Sequence, residues 1–140
     1  MKYINVVAAI ILKEGKILAA QRGYGEFEGK WEFPGGKIKS GETLGETLKR
    51  EIQEEMRASI NISDEVCTIE YDYPEFHLTM HTLLCTLNDC EPKVVYHDIN
   101  HLEHKEIKWL DANDLYSVDW LPADLLVLDH LDFYLKKERA

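Results

Sequence analysis

Leu44, Leu48, Ile52 and Met56 recur at every fourth position between two polar stretches. That spacing predicts a one-sided helix from about Leu44 to about Arg57. A helix with one apolar stripe cannot stand alone; it has to lie against another layer. Thr43 and Glu46 before and inside its first turn have the spacing of a capping box. The same helix carries Glu51, Glu54 and Glu55 within little more than one turn. At about 100° per residue, Glu51 and Glu55 fall within about 20° of Leu44, at the margin of the buried stripe, and Glu54 lies about 60° beyond Glu51. Like charges so placed repel, and carboxylates turned toward a protein body are costly unless protonated or held by cations.

The other layer is predicted to be a sheet. "YINVVAAIIL" and "KILAAQR" are β-rich and flank the turn "KEGK", which reads as a hairpin. "EFPGGKI" reads as a turn and a short strand punctuated by Pro34, Gly35 and Gly36. "EVCTIEYDYP" and "FHLTMHTLLCTL" are two further strands bent at Pro74 and Glu75, and "EIKWL" is another. "NDCEPKVVYHDINHLEH" reads as a polar loop, and Asp111 caps a helical turn. Leu125, Leu128, Leu131 and Leu135 predict a C-terminal helix. The sum is an α/β chain, an α/β/α sandwich with a mixed β-sheet between helices. With 140 residues it is expected to form one domain, residues 1–140.

The formal net charge is -10, which opposes binding to nucleic-acid polymers and to anionic membranes. An anionic substrate would need help from a cation. Cys67, Cys85 and Cys90 form no CxxC pair, no apolar run is long enough to span a bilayer, and the chain reads as cytoplasmic. His97, His101 and His104 are spaced i, i+4, i+7 but lie in the polar loop, so they read as solvated rather than as a zinc site. His77 and His81 share one side of a strand and read as packing residues, with contact to a base as the alternative.

Glutamates at a buried helix margin, after a glycine pair, suit hard divalent cations. An ordinary salt-bridged helix face remains the competing reading, because "REIQEE" alone is a weak signal. The segment Gly36–Ala58 resembles the Nudix box: a glycine, then a glutamate, then Arg-Glu-aliphatic and a Glu-Glu pair at fixed spacing. Gly36, Glu42, Arg50, Glu51, Ile52, Glu54 and Glu55 stand at those places. Arg57 replaces the glycine that ends the pattern, and Ala58 the final aliphatic residue. "GKWEFPGGK", "EYDYPEFHLT", Trp109 and "LPADLLVLDHL" extend the resemblance to the MutT-type branch.

The resemblance implies a Nudix fold and Mg²⁺-dependent hydrolysis of a nucleoside triphosphate to the monophosphate and pyrophosphate, with Mn²⁺ as an alternative ion. An oxidised nucleotide such as 8-oxo-dGTP is the first expectation and CTP or dCTP the second. A non-catalytic nucleotide-binding module is disfavoured, since every acidic place of the box is kept. By resemblance, Gly36, Glu51, Glu54, Glu55 and Glu103 hold metal, with Glu106 a rival for Glu103. Glu51 or Glu54 acts as base, Arg50 orients the carboxylates, and Glu42 supports them. Arg22 and Lys37 face phosphates; Glu32, Phe33, Phe76 and Asp124 face the nucleobase. Monomer and homodimer both stay open.

Overall fold

The computed structural model describes residues 1–88, 91–94, 96–98 and 101–139, with backbone alone at 96–98, 101–102 and 136–139. Its chain order is β1 (Lys2–Lys13), β2 (Lys16–Arg22), β3 (Trp31–Glu32), β4 (Gly35–Lys37), α1 (Leu44–Met56), β5 (Ile60–Asp72) and β6 (Phe76–Leu87). There follow β7 (Tyr96–Asp98), β8 (His101–Leu102), β9 (His104–Leu110), α2 (Pro122–Val127), a 3₁₀ turn at Leu128–His130, and α3 (Asp132–Arg139). Among the described residues seven strands join in one mixed sheet around β1.

Strands β1 and β2 form the expected hairpin, Lys13 opposite Lys16. Glu14 and Gly15 between them both have positive φ, 52° and 76°. Two left-handed residues match the twist of a two-residue hairpin loop. On its far edge β1 runs parallel to β6, from Lys2↔Phe76 to Ile11↔Cys85. On its near edge β1 pairs first with β4, Val7 opposite Gly36, and joins β2 only at Leu12 and Lys13. β3 fills the matching place on β2, Ala20 opposite Glu32. The segment Trp31–Lys37 therefore bridges a split between two strands, closed at its middle by the Ala9 N–H donating to the Pro34 carbonyl at 2.8 Å.

Alternation along β1 serves both faces, as a strand covered on both sides requires. Val7, Ala9 and Ile11 meet Leu48, Ile52 and Met56 of α1. Ala8 and Ile10 belong to the opposite core with Val127, Leu128, Leu131 and Leu135. The mixed α/β architecture expected from the sequence is the one observed. Burying each large side chain of the α1 stripe contributes roughly 1.5–3 kcal/mol, which outweighs the crowding of its acids.

Helix α1 begins at the Thr43–Glu46 capping box, both of whose hydrogen bonds form. It ends on Arg57, which adopts the left-handed conformation at φ 53° and donates its N–H to Gln53 O at 3.0 Å. The residue that replaces a glycine thus takes the glycine's conformation, at a cost of about 1–2 kcal/mol.

Three expectations need correction. The C-terminal helix is broken at Leu128–Leu131. Its buried stripe is Ala123, Val127, Leu128, Leu131 and Leu135, while Leu125 is exposed, because α2 turns its Ala123 side toward the sheet. Gly35 and Gly36 make no sharp turn: they lie in β4, and neither is among the residues with positive φ. The stretch read as a polar loop contains a small ladder, Tyr96 opposite Leu102 and Asp98 opposite His101. Cys90 lies outside the described residues. Among those residues no helix is long and apolar enough to cross a membrane.

Candidate active site

Where β1 and β2 part, a cleft of about 480 Å³ opens between the α1 carboxylates and the end of the β5–β6 hairpin. Gly36, Glu51, Glu55 and Glu103 line one part of it; Phe33, Phe76 and Asp124 line another; Arg22, Glu32 and Lys37 complete the expected set. Glu54 and Arg50 stand outside the lining.

The helix margin is arranged as its wheel implies. Glu55 is 7% exposed, Glu51 half-buried, and Glu54 exposed. Arg50 gathers the outer acids. Its Nε and Nη2 donate to Glu42 at 2.9 and 3.0 Å, and its Nη1 to Glu51 at 2.9 Å and Glu54 at 3.3 Å. The Thr47 hydroxyl adds a bond to Glu42 at 2.9 Å. Hydrogen bonds from Arg50, assisted by Thr47, pull the Glu42 carboxyl down to about 2. Charge-assisted, two-pronged pairing of this kind fixes direction as well as charge.

Glu55 faces other acids instead, with a side-chain hydrogen bond to Glu103. Its Oε2 is buried without a hydrogen-bond partner. Burial, then the nearby charges of Glu103, Glu51 and Glu32, push its carboxyl well above the usual range. Burial also raises Glu51, against the pull of Arg50. A carboxylate so placed either holds a proton or faces a cation. Gly36 sits against this group: a Cβ there would fall 2.4 Å from Glu51 Cδ and 2.6 Å from its Oε2.

Glu103 is set by the chain around it. Its carbonyl accepts from the Gly23 N–H at 3.1 Å and its carboxylate from the Tyr24 hydroxyl at 3.4 Å. Of the two rival glutamates, Glu103 borders the cleft and Glu106 is exposed on β9. Glu32 is held from two sides, by Arg22 Nη1 at 3.0 Å and by His104 Nε2 at 2.9 Å. Burial opposes a charge on Arg22, but Glu32 outweighs it and keeps the guanidinium above its ordinary value. His104 is 3% exposed, so the expectation of a solvated loop histidine fails there. It fails because His104 opens β9 opposite Arg22 and points inward. The side chains of His97 and His101 lie outside the described residues. Lys37 is exposed and makes no ion pair among the described residues.

At the apolar part of the cleft, Phe33 contacts Trp120 with ring centroids 4.6 Å apart. Asp124, 4% exposed, accepts the Phe33 N–H at 2.9 Å. Burial, reinforced by Glu32, raises its carboxyl well above the usual value despite that bond. His77 is outside the cleft, bound to Asp72 at 2.6 Å, and His81 is bound to Thr68 at 3.2 Å. Tyr73, Tyr24 and Phe27 also line the cleft; the sequence reading passed over them. Among the described residues no three His, Cys, Asp or Glu side chains already stand in metal-ligating geometry. The outer acids are turned to Arg50.

Carboxylates at one end of a cleft and aromatic rings at the other, in a mixed sheet split beside an acidic helix, form the candidate active site of this α/β protein. The chain belongs to the Nudix family, whose NUDIX domain profile matches residues 1–133, and it is a Nudix hydrolase. It is 31% identical over 130 residues to the CTP pyrophosphohydrolase of Escherichia coli strain K12, covering 92% of this chain and 91% of that one. It is 32% identical over 133 residues to the 8-oxo-dGTP diphosphatase of the same strain, covering 94% and 98%. Among solved structures, the DNA mismatch repair protein MutT of methicillin-resistant Staphylococcus aureus 252, of the Nudix hydrolase family, superimposes with a TM-score of 0.71. The two are 39% identical, over 96% of this chain and 99% of that one. Enzymes of the family generally use divalent metal ions.

Proposed function

We propose that this Nudix hydrolase cleaves nucleoside triphosphates, oxidised ones such as 8-oxo-dGTP among them, to the monophosphate and pyrophosphate with Mg²⁺. The observation that carries this reading is the Glu55 carboxylate. Its Oε2 is buried and unpartnered, it is flanked by the charges of Glu103, Glu51 and Glu32, and it opens on a cleft with aromatic walls. An all-oxygen set of this charge fits Mg²⁺, and Mn²⁺ by the same chemistry. Gly36, Glu51, Glu54, Glu55 and Glu103 would hold the ion. When bound, it supplies charge neutralisation for the polyphosphate and a water of lowered pKa.

The chain's own groups do the rest. Arg50, anchored by Glu42, presents Glu51 and Glu54, either of which would take the proton from the attacking water. Lys37, with no carboxylate partner among the described residues, meets phosphate oxygens at the cleft's edge. Arg22 fixes Glu32, and so the wall between the acidic and apolar ends. Phe33 and Phe76 flank the base. Asp124, whose carboxyl burial pushes well above its usual value, offers one O–H donor and an acceptor to the base edge when protonated.

That last property also favours a second substrate, CTP or dCTP: the cytosine edge places an N–H donor beside a ring-nitrogen acceptor. The 31% identity to the enterobacterial CTP pyrophosphohydrolase supports the same reading. Turnover of a panel containing 8-oxo-dGTP, dGTP, CTP and dCTP with Mg²⁺ tests both. Release of pyrophosphate and one monophosphate is expected, and release of orthophosphate, or no turnover, contradicts the proposal.

A further inference from the structure

Helix α2 opens on residues that cannot cap it. Leu121 at the N-cap has no polar side chain, and Pro122 takes the first helical place without an N–H. The Ala123 N–H is then one of the orphan donors of a first turn. It donates to the Tyr73 hydroxyl at 3.2 Å, an oxygen brought from the β5–β6 hairpin 50 residues earlier. The cap of this helix is therefore tertiary.

Tyr73 is 6% exposed and borders the cleft. Its ring is stacked on Phe76, with centroids 5.0 Å apart and planes 24° apart, and touches Phe27 and Tyr71 at 5.5 and 4.7 Å. The residue after its partner Ala123 is Asp124, whose carboxyl holds Phe33 through the main chain. One side chain thus joins the hairpin that carries Phe76 to the helix that carries Asp124. A core filler would need only the ring; here the hydroxyl is also buried and bound.

We propose that Tyr73 is a specificity-positioning residue: its hydroxyl on Ala123 and its ring on Phe76 hold the aromatic and the polar wall of the base recess in register. Recognition of the nucleobase depends on it, and cleavage of the anhydride does not. This rests on reading Phe33, Phe76 and Asp124 as the base recess. Burial lifts the Tyr73 hydroxyl to about 12, so it stays an uncharged group across the working range.

The substitution Tyr73→Phe removes only the oxygen. Loss of one main-chain hydrogen bond corresponds to about a three- to tenfold effect. Steady-state kinetics should show that loss in kcat/KM, carried by KM, for the nucleotide the unmodified chain turns over best. For 2′-deoxyribose 5′-triphosphate, which lacks a base, the change should stay below about twofold. An equal loss on both substrates, or none on the nucleotide, overturns the proposal.

A second measurement needs no variant. Amide exchange at Ala123 in the unmodified chain should slow when the nucleoside monophosphate is added and not when pyrophosphate alone is added. Identical exchange in the two cases also overturns the proposal. If the unmodified chain turns over no nucleotide, the reading of the recess itself fails. If it turns one over and ignores Tyr73→Phe, only the role of Tyr73 fails.

Discussion

The Glu51 carboxylate occupies the space that a side chain on Gly36 would need: a Cβ there would lie 2.4 Å from Glu51 Cδ. Gly36 and Glu51 are therefore one device, in which bare main chain of β4 seats an acid from α1. The sheet split puts that main chain there, because β4 pairs with β1 where β2 has left it.

Gly36→Ala should displace this carboxylate while sparing the fold, since the group it meets is the end of a flexible side chain. Turnover is expected to fall on the order of 10²-fold, as for a misplacement of about 1 Å, with the midpoint of thermal unfolding nearly unchanged. Gly35→Ala is different in kind. Its Cβ would meet the Val7 carbonyl oxygen at 2.0 Å, so unfolding temperature should drop with activity. Paired activity and melting measurements on the two variants separate the effects.

Glu54→Gln should abolish Mg²⁺-dependent turnover. Glu54 is exposed, and among the described residues it pairs with Arg50 at 3.3 Å. A surface pair of this kind contributes about 0–1 kcal/mol, so the variant should remain folded by circular dichroism. Turnover equal to the unmodified chain would remove Glu54 from the catalytic set.

Asp124→Ala should change the order of preference among nucleotides more than the rate on the best of them. The check is the ratio of kcat/KM values across a panel of bases, because an interaction with the base alone shifts that ratio. An equal fall for every nucleotide would place Asp124 in the scaffold.

Asp124 also makes a statement about pH. Unfolded, it ionises near its ordinary value of 3.8, whereas burial holds it protonated well above that in the folded chain. Between the two, the folded state carries a proton that the unfolded state has released. The stability this contributes is full below the ordinary value and is lost as pH rises toward the folded one. Asp124→Asn, which keeps an oxygen for the Phe33 N–H, should remove that slope. Denaturant unfolding at several pH values should show the two stability curves converging or crossing with rising pH; parallel curves would contradict the shift.

Local signals carried much of this structure. The Leu44–Met56 stripe, the Thr43–Glu46 box and the "KEGK" turn are each encoded within a few residues, and each forms. The placing of Glu51 and Glu55 followed from helical angle alone. What the sequence hid were partners far apart in the chain. His104 looked like a loop residue because its partner Glu32 is 72 residues away. Tyr73 looked like a strand end beside a proline, since the helix it caps comes 50 residues later. Leu125 fitted a leucine stripe that tertiary packing rotated out, in favour of Ala123 and Val127. Arg22 was read as a phosphate contact, and only the fold brings Glu32 and His104 together beside it.

The central claim is that the buried acids beside Gly36 hold a divalent ion against a polyphosphate. The most direct measurement is a Mn²⁺ titration followed by electron paramagnetic resonance, with a non-hydrolysable triphosphate analogue present, for the unmodified chain and for Glu55→Gln. Tight Mn²⁺ binding by the unmodified chain, weakened at least tenfold in the variant as removal of a ligand charge requires, is the predicted result. Equal binding by the two would contradict it.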